Sequence, residues 1–315
     1  MNRAFVTGIG GQDGSYLAER LLADGVEVHA LTHPDDDSRY CPGEVVLHPG
    51  DVADVEGTRR LLLDLAPDEV YNLAAQSSVA RSWERPDETA RINGAAAVAL
   101  LESAYLAQER SGRACRVVQA SSAEIFGEPT TSPQDEATPV RPVNPYGAAK
   151  AYAHLGVGVY RGRGLHAVSA ILYNHESPRR PVHFVTRKIT RTVAAIARGE
   201  ADRLVLGNTD ARRDWGWAPD YVDAMVRACR AEEADDYVVA TGEGRSVRDF
   251  AAAAFARAGI DDWEPLVHTD TALTRPADAA DLTGDATRAR ERLGWAPTVT
   301  FDELVGRMVD ADLGR

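Results

Sequence analysis

The N-terminal half alternates short apolar runs with longer stretches whose apolar residues recur every three or four positions. Residues 3–7 read as a buried strand, and residues 15–23 as a helix with Tyr16, Leu17, Leu21 and Leu22 on its apolar face. Residues 26–31 and 44–47 read as further strands, 55–65 as a helix and 69–73 as a fourth strand. A long helix over 88–106 leads to a strand at 116–120, a helix at 146–160 and a strand at 167–172. Strands that alternate with helices of this length predict a parallel sheet covered on both faces. Right-handed crossovers make it a doubly wound α/β fold.

The pattern changes after about Asn174. Ser177-Pro178-Arg179-Arg180-Pro181 reads as a basic loop, 185–198 as a helix, 210–217 as a loop and 237–240 as one more strand. The tail, 285–313, reads as short helices around Gly294-Trp295-Ala296-Pro297. The expected division is a doubly wound unit over 1–173 and a smaller α+β unit over 174–315. Segments around 206–241 are expected to return to the first unit.

Composition narrows the function. The 315 residues are 44% hydrophobic and 26% charged, enough to bury a sizeable core. The 35 basic and 48 acidic residues leave a net charge of −13, which argues against general binding to nucleic acid or an anionic membrane. It leaves room for a local basic cluster that binds a small phosphorylated molecule. No run approaches the roughly 18 apolar residues of a membrane span. Ala4-Phe5-Val6 leads straight into glycines rather than into a secretory signal. Cys41, Cys115 and Cys229 are widely spaced, with no CxxC pair, which fits a reducing compartment. A cytoplasmic protein is expected. HExxH is absent, His175-Glu176 is not a metal signature, and no metal is expected.

The stretch Thr7-Gly8-Ile9-Gly10-Gly11-Gln12-Asp13-Gly14 follows the first strand and opens the first helix. With Gly8, Gly11 and Gly14 as its frame it reads GxxGxxG. The first glycine permits a tight turn, the second lets a pyrophosphate approach the backbone, and the third lets helix pack on strand. The phosphates would sit on free N–H groups at the helix N-terminus, with Gln12 and Asp13 beside them. A glycine-rich turn without ligand is the plainer alternative, and the place after strand one disfavours it. The unit over 1–173 is therefore expected to bind a dinucleotide, and that over 174–315 mainly a substrate. The second strand ends in Leu31-Thr32-His33-Pro34, followed by Asp35-Asp36-Asp37-Ser38-Arg39, with neither an acid at its tip nor a basic pair. NADP and NAD both stay open. Arg39 could reach back, and Asp51 and Val52, after the third strand, could contact the adenine.

Tyr146-Gly147-Ala148-Ala149-Lys150 puts a phenol and an ammonium on one helix face. A nearby cation favours phenolate, and a phenolate can take the proton of a hydroxyl whose carbon loses hydride. The strand 116–120 ends in Ser121-Ser122-Ala123-Glu124, which places the Ser122 hydroxyl and the Glu124 carboxylate at the crevice where such sheets bind ligands. Turn chemistry is the ordinary explanation of a serine pair, but no GxSxG elbow surrounds it to suggest a hydrolase.

At these residues the sequence resembles an extended short-chain dehydrogenase/reductase, and more narrowly the GDP-mannose 4,6-dehydratases. The strings that carry the resemblance are TGIGGQDGSYLAERLL from Thr7, YNLAAQSSVARSWERP from Tyr71, ASSAEIFG from Ala120 and PYGAAK from Pro145. ILYNHESPRR from Ile171, FVTRKITR from Phe184, LGNTDARRDWGWAPDYVDAM from Leu206 and LGWAPTVTFDELVGRMVDADL from Leu293 continue it over nearly the whole chain. The resemblance implies oxidation of a sugar 4-hydroxyl with Tyr146 as base and Ser122 holding O4. Glu124 would remove the C5 proton and help expel the 6-hydroxyl as water, and hydride would return to C6. It implies cofactor contacts at Leu73, Ala74, Ala75, Tyr146 and Lys150. Contacts to a nucleotide sugar, expected to be GDP-linked, are implied at Ser77, Ser122, Asn174, Val185, Lys188, Arg213, Arg275 and Asp278. The family's Thr-Ser-Glu is Ser122-Ala123-Glu124 here, its acid near Arg275 is Asp278, and a histidine is replaced by Ser78. The basic run and part of the loop after strand two are missing. A weakened NADP preference follows, and a homodimer through the two long helices is favoured over a tetramer. The alternatives are an epimerase working through the same 4-keto sugar and a non-catalytic dinucleotide sensor. Glu124 speaks against the first, and the Ser122/Tyr146/Lys150 set against the second.

Overall fold

The computed structural model describes residues 2–34, 39–273, 277, 279 and 281–315. Its apolar runs form β1 (Arg3–Thr7), β2 (Glu27–Thr32), β3 (Val46–Pro49), β4 (Glu69–Asn72), β5 (Arg116–Ala120) and β6 (His166–Leu172). Between them lie α1 (Gln12–Ala23), α2 (Val55–Leu65), α3 (Val79–Glu84), α4 (Pro86–Thr89), α5 (Ala97–Ser111) and α6 (Pro145–Gly162). Neighbouring residues of one strand enter opposite cores. Val6, Tyr71 and Val118 pack with Leu17, Leu21 and Tyr221, whereas Phe5, Val70 and Val117 pack with Leu62, Leu100 and Val157. A strand buried on both faces carries no polar alternation, which is why these segments read as continuous apolar runs.

The second half supplies β7 (Asn174–Glu176), α7 (Val185–Ala197), β8 (Leu204–Leu206), β9 (Arg212–Trp217), α8 (Ala218–Arg230), β10 (Asp236–Val239), β11 (Gly244–Ser246) and α9 (Val247–Ala258). Then come β12 (Val267–Thr269), β13 (Asp281–Leu282), α10 (Thr287–Leu293) and α11 (Phe301–Leu313). The main sheet is parallel throughout, in the order β10-β6-β5-β4-β1-β2-β3. The order in which strands are added reverses between β1 and β4, the position at which such sheets open a ligand crevice. β10 joins its far edge, Asp236 opposite Ser169. β9 is the hub of a smaller sheet with β7, β11 and β13. Ile189, Trp215, Phe250, Leu304 and Met308 form a separate core from α7, α9, α11 and β9.

Two elements differ from the sequence expectation. The helix expected over 88–106 is interrupted by a π-helical turn at Ala90–Ala96. There Asn93 is buried; its Oδ1 accepts the Gln76 N–H at 2.8 Å and its Nδ2 donates to the Gln76 carbonyl at 2.9 Å. That pairing ties the turn to the loop after β4, a side-chain insertion of the kind that breaks the regular ladder. The stretch 210–217, expected as a loop, contains strand β9. Its buried positions include Arg213 and Asp214, so a charge-rich sequence concealed a buried strand.

Asp214 explains how β9 tolerates a buried carboxylate. Its Oδ1 accepts the Thr241 N–H at 2.8 Å and the Thr241 hydroxyl at 2.6 Å. Its Oδ2 accepts the N–H groups of Gly242 at 2.8 Å and Gly284 at 3.3 Å. One side chain thus ties β9 to two further segments of backbone. Asp214→Ala should orphan these donors and destabilise the protein by about 3 kcal/mol or more, read as a lowered urea midpoint. An unchanged midpoint would show that the loops re-pair without it.

Candidate active site

A cleft of about 510 Å³ opens at the carboxyl ends of β1, β2 and β4. Gly8, at φ +74°, turns the chain out of β1, and a Cβ there would stand 2.9 Å from the Ala74 nitrogen. A Cβ on Gly14 would lie 2.2 Å from the Gly8 carbonyl oxygen, so only glycine lets α1 begin this close to the strand. Gly11 caps α1 without a side chain, which leaves the first-turn N–H groups open to a ligand. Gly8, Gly11, Gln12, Asp13 and Gly14 line the near wall, Asp51 and Val52 the far end, and Leu73, Ala74, Ala75 and Ser77 the floor beyond β4. A backbone cradle that any Cβ would fill, at a helix N-terminus, fits a dinucleotide pyrophosphate. Arg39 lies outside this lining, its guanidinium 6.0 Å from the Tyr40 ring centroid. His33 lines the cleft at the tip of β2.

Two residues beside the cleft were not singled out from the sequence. His175 Nε2 lies 2.8 Å from Asp13 Oδ2, and its Nδ1 lies 2.7 Å from the Tyr173 carbonyl. Burial would raise the Asp13 carboxyl, but His175 and Arg180 outweigh it and hold it below the usual carboxylate range. Burial also pushes His175 down, but Asp13 prevails and holds it above the usual histidine range. The two are hydrogen-bonded and each favours the charged form of the other, the arrangement in which such a pair is tolerated away from water. Gln12 completes the joint, donating to the His175 carbonyl at 3.1 Å and accepting from Ser177 at 2.8 Å. Arg180 lines the cleft and pairs with the buried Glu176 at 3.0 Å. The basic loop at 177–181 and the His-Glu pair were visible in the sequence; their contact with the glycine loop was not.

The four catalytic candidates meet where β5 ends and α6 begins. Ser122 caps a short turn by accepting the Glu124 N–H at 3.2 Å. Lys150 is buried and donates Nζ to the Ala120 carbonyl at 2.8 Å. Its ammonium stands 5.9 Å from the Tyr146 ring centroid. Burial pushes the Tyr146 phenol up to about 12, and the Ser122 hydroxyl opposes the rise. Burial likewise brings Lys150 down to about 8, with Asp13 opposing. The expectation that the lysine favours phenolate is therefore corrected: burial outweighs it. Both groups are desolvated, and desolvation favours the neutral form of each.

The other expected residues are spread along the second half. Asn174 opens β7 opposite Trp215. Val185 and Lys188 lie one turn apart at the start of α7, Val185 exposed and Lys188 half-buried. Arg213 is buried and donates to the carbonyls of Arg212 at 2.7 Å and Ala279 at 2.8 Å. Arg275 and Asp278 lie outside the described residues.

The chain has two lysines, Lys150 and Lys188, so lysine-labelled protein gives two resolvable side-chain NMR signals. Lys150 should titrate near 8 in the free protein. Its folded value lies below the 10.5 of an ordinary lysine, so charging it opposes folding fully below pH 8, and that cost is relieved as pH rises toward 10.5. A titration above 10 for Lys150 would mean that water reaches it.

The family model for GDP-mannose 4,6 dehydratase matches residues 5–308. GDP-mannose 4,6 dehydratase 1 of Arabidopsis thaliana is 46% identical over 324 residues, spanning 98% of this chain and 89% of that protein. The Homo sapiens GDP-mannose 4,6 dehydratase is 40% identical over 344 residues, spanning 99% and 91%. Among solved structures, UDP-glucose 4-epimerase of Thermus thermophilus in complex with NAD superposes with a TM-score of 0.86 at 30% identity, covering 99% of each chain. RMD from Pseudomonas aeruginosa complexed with NADPH gives 0.81 at 25% identity, covering 100% of each. With a family match over nearly its whole length and relatives of this identity, the chain belongs to the GDP-mannose 4,6-dehydratase family.

Proposed function

We propose that this protein is a nicotinamide-dependent lyase that removes water across C5 and C6 of a GDP-hexose such as GDP-mannose. The observation that carries the reading is Glu124, a buried carboxylate on the same strand end as Ser122 and beside Tyr146. Redox at C4 alone needs no such base; elimination does.

Gly8, Gly11, Gln12, Asp13 and Gly14 would hold the cofactor phosphates, Asp51 and Val52 the adenine, and Leu73, Ala74, Ala75, Tyr146 and Lys150 the remainder. When bound, the nicotinamide supplies a hydride acceptor, a positive charge beside the buried phenol and, later, a hydride donor. Ser122 holds the sugar 4-hydroxyl, and Tyr146 takes its proton as C4 is oxidised. The 4-ketone acidifies the C5 proton, which Glu124 removes. The C5–H electron pair forms the C5–C6 double bond as the C6–O bond breaks, and Glu124 returns the proton to the departing hydroxyl, releasing water. Tyr146 then protonates C5 while C6 receives hydride. Lys150 holds the Tyr146 end of the site through its bond to Ala120.

Ser77, Asn174, Val185, Lys188, Arg213, Arg275 and Asp278 are the proposed nucleotide-sugar contacts. Residues 1–173, with segments around 206–241, serve the dinucleotide, and 174–315 mainly the substrate. NADP or NAD serves as cofactor, with NADP preference weakened because no basic pair follows Thr32. No described helix is long and apolar enough to cross a membrane, and the three free cysteines fit a cytoplasmic location. Tyr152, Leu155 and Val159, 55%, 60% and 62% exposed, form one apolar stripe on α6. Covering it with the same stripe of a second copy gives the homodimer we favour over a tetramer.

Incubation with GDP-mannose should give a product lighter by one water; an isomer of unchanged mass would favour epimerisation instead. Tyr146→Phe should lower turnover by roughly 10²–10⁴-fold without loss of cofactor binding. Glu124→Gln should oxidise C4 and stall, with loss of both water release and solvent-deuterium entry at C5. Normal water release by that variant would overturn the role of Glu124. Leu155→Glu with Val159→Glu should sediment as a monomer, and an unchanged assembly would place the interface elsewhere.

A further inference from the structure

The sequence reading passed over Asn144. It is buried and sits at the N-cap of α6, one residue before Pro145 and two before Tyr146. Its Oδ1 accepts the Gly147 N–H at 2.8 Å, closing the first turn of the helix that carries the phenol. Its Nδ2 donates to Glu124 Oε2, also at 2.8 Å. The backbones are equally close. A Cβ on Gly147 would lie 2.4 Å from the Glu124 carbonyl oxygen. Glu124 is therefore fixed to the start of α6 at main chain and side chain together. Among the described residues no donor engages its other oxygen, Oε1.

We propose that Asn144 is the positioning residue of the elimination step: it holds Oε2 of Glu124 and leaves Oε1 as the oxygen that takes the C5 proton. The proposal rests on Glu124 being the C5 base. One bound oxygen and one open oxygen is the arrangement a general base requires. The amide suits both jobs because it carries an acceptor for the helix and a donor for the carboxylate. Aspartate or serine can cap the helix, but aspartate offers Glu124 a second negative charge and serine falls short of it.

Asn144→Asp and Asn144→Ser separate the two roles. For each variant the quantity to measure is solvent-deuterium entry at C5 relative to C4 oxidation, across pH, together with the melting temperature. Asn144→Asp should move the acid limb of C5 exchange up by about one pH unit or more, the direction a neighbouring carboxylate imposes. Asn144→Ser should slow exchange by roughly tenfold, the scale of one lost charge-assisted bond. C4 oxidation should stay within a few-fold of wild type in both. A fall in melting temperature with exchange rate and acid limb unchanged would make Asn144 a helix cap only and overturn the proposal. Undiminished exchange in Glu124→Gln would instead refute Glu124 as the base, an outcome read without any Asn144 variant.

Discussion

The site depends on one constraint: ionisable groups around it are largely withdrawn from water, and each is kept by a partner that also fixes backbone. Asp13 is held by His175, Glu124 by Asn144, Lys150 by the Ala120 carbonyl, and Arg213 by the carbonyls of Arg212 and Ala279. A buried polar group is expensive without a partner and nearly neutral with one. The ties therefore give little stability for their own sake. What they give is position, because none of these groups can turn without leaving a charge unsatisfied.

The same ties join regions that are distant in sequence. The glycine loop is pinned by residues more than 160 positions later, through Gln12 to Ser177 and Asp13 to His175. Arg179 adds to this, its guanidinium 3.8 Å from the Tyr16 ring centroid and paired with Glu19. The segment that follows β7 thus runs directly into α7, which carries Lys188, while its side chains brace the phosphate cradle. The two proposed ligand sites share a wall made of one stretch of chain.

How legible was this in the sequence? The doubly wound sheet was open to reading because β1, β4 and β5 are apolar on both faces and the glycine loop falls after β1. The placement of Ser122 at the end of β5 and of Tyr146 and Lys150 on one helix was also open to reading, because strand and helix periods fix it. β9 was not, because Arg213 and Asp214 are buried there by pairing that no local pattern announces. The π turn at Ala90–Ala96 was hidden for a similar reason, since it is set by Asn93 meeting the Gln76 backbone, not by the apolar period. The state of Tyr146 was misread because adjacency to an ammonium was weighed without desolvation. Contacts between chain segments far apart are what a period cannot encode, and the charged part of this site consists of them.

The scarcity of lysine bears on the chemistry. The chain uses arginine at 33 of its 35 basic positions, so a lysine marks a place where a guanidinium fails to serve. At position 150 the reason is physical. The side chain is 3% exposed, has one carbonyl as partner, and is shifted to about 8. A guanidinium keeps its proton under any such burial and presents five donors, most of which this pocket would leave unsatisfied. An ammonium can be held near its point of titration beside the phenol proposed to exchange protons with the substrate. Arginine there would keep the charge and lose the adjustable proton, so the proposed Tyr146–Lys150 pair calls for the small cation whose charge burial can tune.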